Sequence, residues 1–426
     1  MTAPASPDRG PCGVTVVGAG AAGLFAAIWA GRTLREHGGR VLALDGAARL
    51  GAKILVAGGG RCNVTHRVVS DVDYSGSTPP AIRKVLRRFG VDRTVAFFAE
   101  LGVELKLEET GKLFPVTDDA RTVLDALLGA LRDSGAHVRH PDRVRAVRRV
   151  DGGFEVDAAG GPVRTARVIL CTGGKALPKS GSDGAGLEIA RSLGHSVTDH
   201  VVPALVPLRL AEGHWIRGLG GLTVPAELVL RSAGGKRLAS FVDSTLCTHF
   251  GLSGPSVLNI SRHWTHATLE EQGARLEACW LPGEDPERID AWLVGAKGRA
   301  VGTLLRERLP DRLVRALCEA AGVDPSVTTQ QLARDRRRGL SQLVAATPLP
   351  VEGDRGFSFA EATAGGVPLA EVRLETMESR IVPGLHLAGE VLDVDGRIGG
   401  FNLQWAWASG FVAGCAAADA ILAPHG

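Results

Sequence analysis

The sequence lacks the features that mark several classes of protein. Its seven cysteines, at positions 12, 62, 171, 247, 279, 318 and 415, form no C-x-x-C pair. This pattern argues against a zinc site, a dithiol redox centre and a disulfide framework, and it favours reduced thiols in a cytoplasm. The formal net charge of the 426 residues is +3, which is too small to indicate nucleic acid or an anionic membrane surface as a partner.

An uninterrupted hydrophobic run long enough to cross a membrane is also missing. The most apolar stretch, residues 403–422, is broken by Gly410 and Gly414 and carries Asp419, so we interpret it as a buried core helix. Residues 1–13 contain no charged segment followed by an apolar one, and we expect a loose tail there rather than a signal sequence. These absences predict a cytoplasmic protein.

A nucleotide-binding pattern stands near the start of the chain. Residues 14–17 are a short apolar run typical of a central parallel strand, and a helix is predicted over Ala21–Leu34. Between them lies the G-x-G-x-x-G motif formed by Gly18, Gly20 and Gly23. Gly18 permits the sharp turn, Gly20 leaves room for a pyrophosphate, and Gly23 lets the helix pack against the strand.

The context of this motif favours dinucleotide binding over an ordinary glycine-rich turn. Ala21 and Ala22 begin the predicted helix, whose first N–H groups point at the pyrophosphate. A second predicted strand, Val41–Leu44, ends in Asp45, about twenty residues after the last glycine. An acid at that position is a typical acceptor for a ribose hydroxyl.

A second glycine-rich segment follows, over residues 49–65. Three consecutive glycines give the backbone many accessible conformations, and polar donors follow them at once. Such a loop can surround a phosphate or a flat polar ring with main-chain N–H groups. A plain surface loop is the alternative, but the polar cluster favours cofactor contact. The candidate residues are Lys53, Gly60, Arg61, Cys62, Asn63 and Thr65.

The middle of the chain changes character at Pro203. Before it, a strand over 164–170 leads to Thr172 and Gly173, which we interpret as a second approach of backbone to the dinucleotide. The glycines of 181–186 are interpreted as a helix cap, so one dinucleotide site is predicted. After Pro203, alternating segments indicate an antiparallel sheet or small barrel over 203–260, and residues 285–345 read as helical.

The basic run 334–338 is interpreted as a solvated helix end, with Gly339 as the helix C-cap, rather than as an RNA site.

Pro348 marks the return to the first domain. The predicted domains are therefore 1–202, an insertion over 203–347, and 348–426. His263 and His266 are spaced for one helix face, but no third ligand is evident, so no metal is predicted.

The strings G-G-G-R-C-N-V-T at 58–65 and G-G-F-N-L-Q-W-A at 399–406, together with the motif at Gly18, resemble the YhiN/BaiN-like FAD-binding flavoproteins, also called aminoacetone oxidase-like. Two departures are Asp45, where the family usually has Glu, and His66, where Asn is usual. The resemblance implies an α/β fold: a Rossmann-like FAD-binding domain, split in sequence by an inserted antiparallel β domain plus a helical subdomain.

By the same resemblance, Glu390 contacts the ribityl chain of a non-covalent FAD, and residues 400–404 lie at the flavin. The residues expected to take part in catalysis are Cys62, Asn63, Asn402 and Gln404. The residues expected to bind the cofactor are Gly18, Gly20, Ala21, Ala22, Gly23, Asp45, Lys53, Gly60, Arg61, Cys62, Asn63, Thr65, Thr172, Gly173, Gly389, Glu390, Gly399, Gly400, Phe401, Asn402 and Leu403.

These observations predict an FAD-dependent oxidoreductase that transfers hydride. NAD(P)H is the expected reductant and would bind transiently over the flavin, because one dinucleotide fold is predicted. A small organic substrate is expected between the two domains. One alternative is an oxidase of a small amine that uses oxygen. Another is an RNA-modifying flavoprotein, although the small net charge and the lack of interleaved aromatic and basic residues count against it.

Overall fold

The computed structural model describes residues 12–270 and 273–423. Most of the tail expected over 1–13 lies outside these residues, while Cys12 and Gly13 belong to the first strand. The chain divides into two compact units, Met1–Val202 with Glu361–Gly426, and Pro203–Ala360. The chain thus leaves the second unit later than Pro348, where the sequence analysis set the return.

The first unit begins with ten strands and six helices. The strands are β1 (Cys12–Val17), β2 (Val41–Leu44), β3 (Thr65–His66), β4 (Tyr74–Gly76), β5 (Leu105–Leu107), β6 (Lys112–Pro115), β7 (His137–Arg139), β8 (Val144–Val150), β9 (Gly153–Ala158) and β10 (Val163–Leu170). The helices are α1 (Ala21–Leu34), α2 (Ala52–Gly60), α3 (Pro79–Leu86), α4 (Val91–Glu100), α5 (Ala120–Asp133) and α6 (Ala185–Ser192).

The chain then passes through β11 (Val202–Ala204) into the second unit and back again. The strands of the second unit are β12 (Leu208–Leu210), β13 (Thr223–Arg231), β14 (Arg237–Thr248), β15 (Gly251–Ser253), β16 (Arg275–Cys279), β17 (Thr347–Leu349) and β18 (Val351–Asp354). Its helices are α7 (Pro255–Glu270), α8 (Pro286–Gly295), α9 (Val301–Leu305), α10 (Asp311–Ala321) and α11 (Arg334–Ala346). The first unit resumes with β19 (Ala362–Ala364), β20 (Val372–Arg373), β21 (Glu378–Ser379), β22 (Leu385–Leu387), β23 (Val394–Gly396) and α12 (Phe401–Leu422).

A nine-stranded sheet organises the first unit. Its main path runs β20-β21-β22-β10-β1-β2-β7, with the β8–β9 hairpin attached to β10. The pairs from β22 to β7 are parallel, so this is the doubly wound core that the glycine motif predicts. The strand residues 14, 16 and 17 are at most 2% exposed, as expected for a central strand of a parallel sheet. The predicted α/β class is confirmed.

The C-terminal helix α12 lies along α1 in the core of this unit. A Cβ atom built on Gly410 would lie 2.6 Å from the carbonyl oxygen of Ala22, and one built on Gly414 would lie 2.4 Å from that of Ala26. The two glycines therefore let the helix backbones approach closely. Among the described residues, α12 is the one helix long and apolar enough to span a membrane, and 61% of its most apolar window is buried inside the protein.

An antiparallel seven-stranded sheet organises the second unit, in the order β17-β16-β13-β14-β15-β12-β18. Three of its strands, β16, β17 and β18, come from residues 275–354, outside the 203–260 stretch that the sequence analysis assigned to strands. Helix α7 packs against β13 and β14 through buried residues such as Val257 and Ile260. The remaining helices share the same apolar core.

The basic run at 334–338 was predicted at the end of a helix, and this is wrong. It lies at the start of α11, and Gly339 lies inside the helix rather than at its C-cap. Arginines at a helix N-terminus oppose the helix dipole. Burial of Leu340 and Val344 and the ion pair from Arg337 Nε to Asp290 Oδ1 (2.8 Å) offset that cost.

Candidate functional site

The carboxyl edge of the parallel sheet gathers the predicted cofactor residues. Val17 is in register with Leu44 on one side and with Leu170 on the other, and Leu170 is in register with Leu387. The loops that follow these four residues therefore begin in one row. They carry Gly18–Gly23, Asp45, Cys171–Gly173 and Ala388–Glu390. Ligands of open α/β sheets bind at such an edge.

The three motif glycines have the different environments that a nucleotide cradle requires. Gly18 has φ +91°, and a Cβ there would lie 2.6 Å from the carbonyl oxygen of Cys171. A Cβ on Gly23 would lie 1.8 Å from the carbonyl oxygen of Gly18, so the helix touches the turn. A Cβ on Gly20 would meet no described atom within 4 Å. Gly20 caps α1 and faces open space, which leaves room for a phosphate beside the helix N-terminus.

Asp45 lies directly beside this cradle. Its Oδ2 accepts a hydrogen bond from the Ala19 N–H (2.7 Å), and its Oδ1 accepts one from the Ala47 N–H (2.8 Å). Each carboxylate oxygen has a second lone pair, so the side chain keeps capacity to accept from a ribose hydroxyl. The shorter acid that replaces the usual Glu is thus held against the glycine turn.

Glu390 joins segments that are far apart in the sequence. Its Oε2 pairs with Lys53 Nζ at 2.5 Å, and its Oε1 accepts from the Thr363 N–H at 2.7 Å. A Cβ on Gly173 would lie 3.9 Å from the same Oε2. Gly389 has φ +76°, and a Cβ there would lie 2.7 Å from the Cβ of Ala22 at the start of α1. The strand ends and the first turn of α1 therefore converge around one carboxylate.

The start of α12 forms the other end of the site. Gly400 caps the helix at φ +94°, and a Cβ there would lie 2.7 Å from the backbone carbon of Thr65 and 2.9 Å from Asn63 Oδ1. Asn63 is 6% exposed, and its Oδ1 has no hydrogen-bond partner among the described residues. Buried acceptors are usually paired with a donor. A flavin ring, which carries an imide N–H, fits this requirement.

The neighbouring residues frame this position. Gly399 has φ +130°, and a Cβ there would lie 3.6 Å from Lys112 Cε. Phe401 stacks on His66 with ring centroids 4.9 Å apart and an interplanar angle of 23°. Leu403 is partly exposed in the first turn of α12. Helix N-termini carry N–H groups without intrahelical partners, so this turn can face an acceptor or an anion.

Two of the four residues predicted to be catalytic are committed to structural hydrogen bonds. Asn402 accepts from the Gly396 N–H (2.9 Å) and donates to the Gly396 carbonyl (3.0 Å). Gln404 is 1% exposed; its Oε1 accepts from the hydroxyls of Thr65 (2.7 Å) and Thr94 (2.9 Å), and its Nε2 donates to a backbone carbonyl. Both side chains, and the Thr65 hydroxyl, are thus bonded to other protein groups, and their part in catalysis or cofactor binding stays a prediction.

Cys62 is buried and is not suited to nucleophilic chemistry. It is 0% exposed, it is a free thiol, and it has φ +61° directly after the glycine turn. Burial raises the pKa of the thiol to about 12, so the thiolate is scarce at neutral pH. These observations favour a packing role for Cys62 beside Asn63, and its part in catalysis stays a prediction.

Replacing Cys62 with serine is expected to leave the electron capacity of the flavoprotein unchanged. A buried free thiol cannot form a redox disulfide without rearrangement, so wild type and Cys62→Ser should each take up two electrons per FAD in an anaerobic dithionite titration. Cys318→Ser, in the second unit, is the matched control. A wild-type capacity of four electrons that falls to two in Cys62→Ser would contradict this account.

Three other residues that were predicted to bind the cofactor have different surroundings from one another. The Arg61 guanidinium pairs with Glu108 at 2.6 Å and lies 3.9 Å from the centre of the Phe114 ring, so it is tied to the β5–β6 hairpin. Thr172 faces α6, since a Cβ on Gly186 would lie 1.6 Å from its hydroxyl oxygen. Gly60 has φ +89° and little protein nearby. The segment before it, predicted as a loop, is the broken helix α2.

Three residues near the site were not predicted from the sequence: Glu361, Lys112 and Thr363. Thr363 Oγ1 accepts from the N–H groups of Lys175 and Ala176 (2.8 and 3.0 Å), which fixes β19 against the loop after β10. The sequence did contain one signal for this segment: Glu361 directly precedes the A-T-A-G-G string at residues 362–366. Among the described residues, no group of three or more His, Cys, Asp or Glu side chains is placed to hold a metal ion.

A Rossmann-type sheet with a nucleotide cradle at its carboxyl edge, and a last helix that begins at a second ligand-facing position, is the architecture of FAD-dependent oxidoreductases. This chain is such an enzyme, and FAD is its cofactor. It matches the family described as HI0933-like protein Rossmann domain over residues 12–416 and belongs to that family.

Named relatives extend over nearly the whole chain. A 3-dehydro-bile acid delta(4,6)-reductase of Clostridium scindens is 35% identical over 410 residues, which are 95% of this chain and 99% of the relative. A ribosomal RNA dihydrouridine synthase of Escherichia coli is 34% identical over 398 residues, 92% and 95% of the two chains. Among solved structures, the open conformation of a flavocytochrome c3 fumarate reductase is 17% identical, with a TM-score of 0.48 over 98% of this chain and 80% of that one.

Proposed function

We propose that the enzyme uses NAD(P)H to reduce a carbon–carbon double bond conjugated to a carbonyl group in a small organic substrate. The main support for this proposal is that the names of two near-full-length relatives describe this chemistry. A 3-dehydro-bile acid with delta(4,6) unsaturation has double bonds conjugated to the 3-oxo group. Making dihydrouridine saturates the uracil double bond that is conjugated to a ring carbonyl.

The residues at the carboxyl edge suit the parts of FAD. Gly20 and the first turn of α1 would hold the pyrophosphate. Asp45 would accept from the adenosine ribose, and the pair Glu390–Lys53 would bind the polar ribityl chain. Bound there, FAD would supply hydride transfer between a nicotinamide and the substrate.

The end of the site at the N-terminus of α12 suits the flavin ring. Asn63 Oδ1 is the buried acceptor that lacks a donor, and it lies beside Gly400. The first turn of α12 places about half a positive charge there, which favours the negative charge that hydride uptake leaves on a ring. Cys62, Gln404 and Asn402 keep this turn and the 58–65 segment in position.

The glycines of residues 181–186 bear on how the nicotinamide binds, because they do not form a second dinucleotide fold. Gly184 caps the eight-residue helix α6 at φ +90°, and a Cβ there would lie 3.0 Å from Lys175 Cγ. This turn has the role of a helix cap, and it follows no strand of the parallel sheet. With one predicted dinucleotide fold, NAD(P)H would bind transiently over the flavin.

The same chemistry at a uracil base in ribosomal RNA is the second candidate, and the Escherichia coli relative favours it. Arg334, Arg336 and Arg338 are exposed on α11, which would suit a phosphate backbone. The formal net charge of +3 favours the small substrate instead. An oxygen-using amine oxidase, considered from the sequence, has no support from the names of these relatives.

Anaerobic stopped-flow spectroscopy would separate these functions. The holoenzyme is first reduced with NADPH or NADH, and it is then mixed with a 3-oxo-4,6-diene bile acid, with unmodified ribosomal RNA, or with air. The proposal predicts rapid reoxidation by the conjugated ketone. Reoxidation by RNA alone, in a manner that weakens with salt, would favour the second candidate. Reoxidation by oxygen alone, with reduction by a small amine, would contradict both.

A further inference from the structure

Reduction of a conjugated double bond requires a proton as well as a hydride, and this inference rests on the proposed function. Hydride forms a C–H bond at the β-carbon, and the π electrons shift to give an enolate. The enolate becomes the saturated ketone when an acid protonates its α-carbon. A positioned acid typically contributes about 10²–10⁴-fold to such a step. The chain therefore needs a proton donor near the flavin end of its site.

Most carboxylates near the site are committed elsewhere. Both oxygens of Glu390 are engaged, by Lys53 and by the Thr363 N–H, so its charge is held in place. Asp45 lies beside the glycine turn with both oxygens bonded to backbone N–H groups. The Glu361 carboxylate, in contrast, has no hydrogen bond or ion pair within residues 12–270 and 273–423.

Glu361 is placed at the flavin end by its neighbours. It directly precedes β19, whose Thr363 is bonded to Glu390. Its carboxylate interacts electrostatically with two lysines, Lys53 on α2 and Lys112 on β6. Lys53 pairs with Glu390, and Lys112 approaches the turn at Gly399 that starts α12. Glu361 therefore belongs, with Glu390 and the two lysines, to the cluster of charged groups at this end of the site.

The environment of Glu361 suits an acid that donates its proton in each turnover and regains one from solvent. The surrounding protein withdraws water from the carboxyl group and raises its pKa, while Lys53 and Lys112 act in the opposite direction. Glu361 is exposed, so its carboxyl group can exchange protons with solvent. It can therefore hold a proton nearer neutral pH than an ordinary glutamate and recover that proton from water.

We propose that Glu361 is the catalytic acid of the enzyme. Its carboxyl O–H donates a proton to the α-carbon of the enolate, and the electron pair of the O–H bond stays on the carboxylate. Hydride and proton together add two hydrogens across the double bond, and the nicotinamide is the reductant. Lys53 and Lys112 stabilise the carboxylate that forms, and a solvent proton restores the acid.

The two half-reactions of Glu361→Gln test this role. Reduction of its bound FAD by NADPH consumes no proton from the acid and should keep the wild-type rate. Anaerobic reoxidation by the 3-oxo-4,6-diene bile acid should be slower by roughly 100-fold. Reoxidation by ferricyanide, which needs no substrate proton, should be unchanged. Glu361→Asp should recover part of the rate, and Glu36→Gln, in the turn after α1, is the matched control.

The pH profile gives a readout that a structural role would not move. The wild-type reoxidation rate should fall as pH rises through the pKa of Glu361, because only the protonated carboxyl group can donate and its fraction decreases. The charged groups that act on Glu361 are Lys53 and Lys112, and Glu361→Gln should lose this limb of the profile. Equal reoxidation rates in wild type and Glu361→Gln would overturn the inference alone. A reduced wild type that the conjugated ketone cannot reoxidise would contradict the proposed function, and the inference with it.

Discussion

Replacing Gly20 with valine is expected to remove bound FAD while the apoprotein stays folded. No described atom lies within 4 Å of a Cβ at this position, and the backbone has an ordinary φ of −75°. The branched side chain would instead occupy the space that a pyrophosphate needs. We expect the Kd for FAD to rise by at least about 100-fold, roughly 2.7 kcal/mol. The free energy of unfolding of the apoprotein should change by no more than about 1 kcal/mol.

Two other glycines supply the controls for this variant. Gly218→Val introduces the same side chain into open space in the second unit and should leave both FAD affinity and stability unchanged. Gly23→Val would drive a Cβ to 1.8 Å from a carbonyl oxygen, so it should destabilise even the apoprotein, by about 2 kcal/mol or more. Equilibrium dialysis and urea unfolding measure the two effects separately. Stoichiometric FAD in purified Gly20→Val would refute the assignment of this turn.

Replacing Glu390 with alanine is expected to weaken FAD binding by roughly 10- to 100-fold. The change removes a proposed ribityl contact, leaves Lys53 without its partner and leaves the Thr363 N–H without an acceptor. Hydrogen bonds to charged groups contribute about 1.5–3 kcal/mol each. Glu390→Gln keeps an acceptor for Thr363 and should lose less. Titration of the apoprotein with FAD by calorimetry provides the measurement.

The matched control is Glu375→Ala, which removes another glutamate–lysine pair, to Lys84, on the exposed surface of the same unit. Exposed pairs contribute little, so its FAD affinity should equal that of wild type. If Glu390→Ala lowers the thermal stability of the apoprotein but binds FAD as tightly as wild type, the carboxylate is a structural tie and not a cofactor contact.

The parts of the fold that follow from local sequence could be predicted closely. The bounds of α1 and β2 agree with the sequence prediction, because a buried apolar run, a glycine turn and a helix start lie within thirty residues. A buried core helix was likewise predicted over residues 403–422, and α12 spans Phe401–Leu422. Each of these signals depends on neighbouring residues.

What could not be predicted depends on contacts between distant segments. Gln404 binds Thr65 and Thr94, which lie 339 and 310 positions away, and these bonds turn a predicted catalytic amide into a buried tie. The approach of Glu361 to Lys53 and Lys112 joins three separate elements. A single sequence shows residue types and local spacing, but it does not show which distant segments meet in the fold.

The central claim, that this flavoprotein saturates a double bond conjugated to a carbonyl, is tested most directly by product stoichiometry in a single turnover. Enzyme whose FAD has been reduced by one equivalent of NADPH, without oxygen, is mixed with excess 3-oxo-4,6-diene bile acid, and the products are counted by mass spectrometry. The account predicts one molecule of product, heavier by two hydrogens, for each FAD reoxidised. Unaltered substrate beside a flavin that stays reduced until air enters would contradict it.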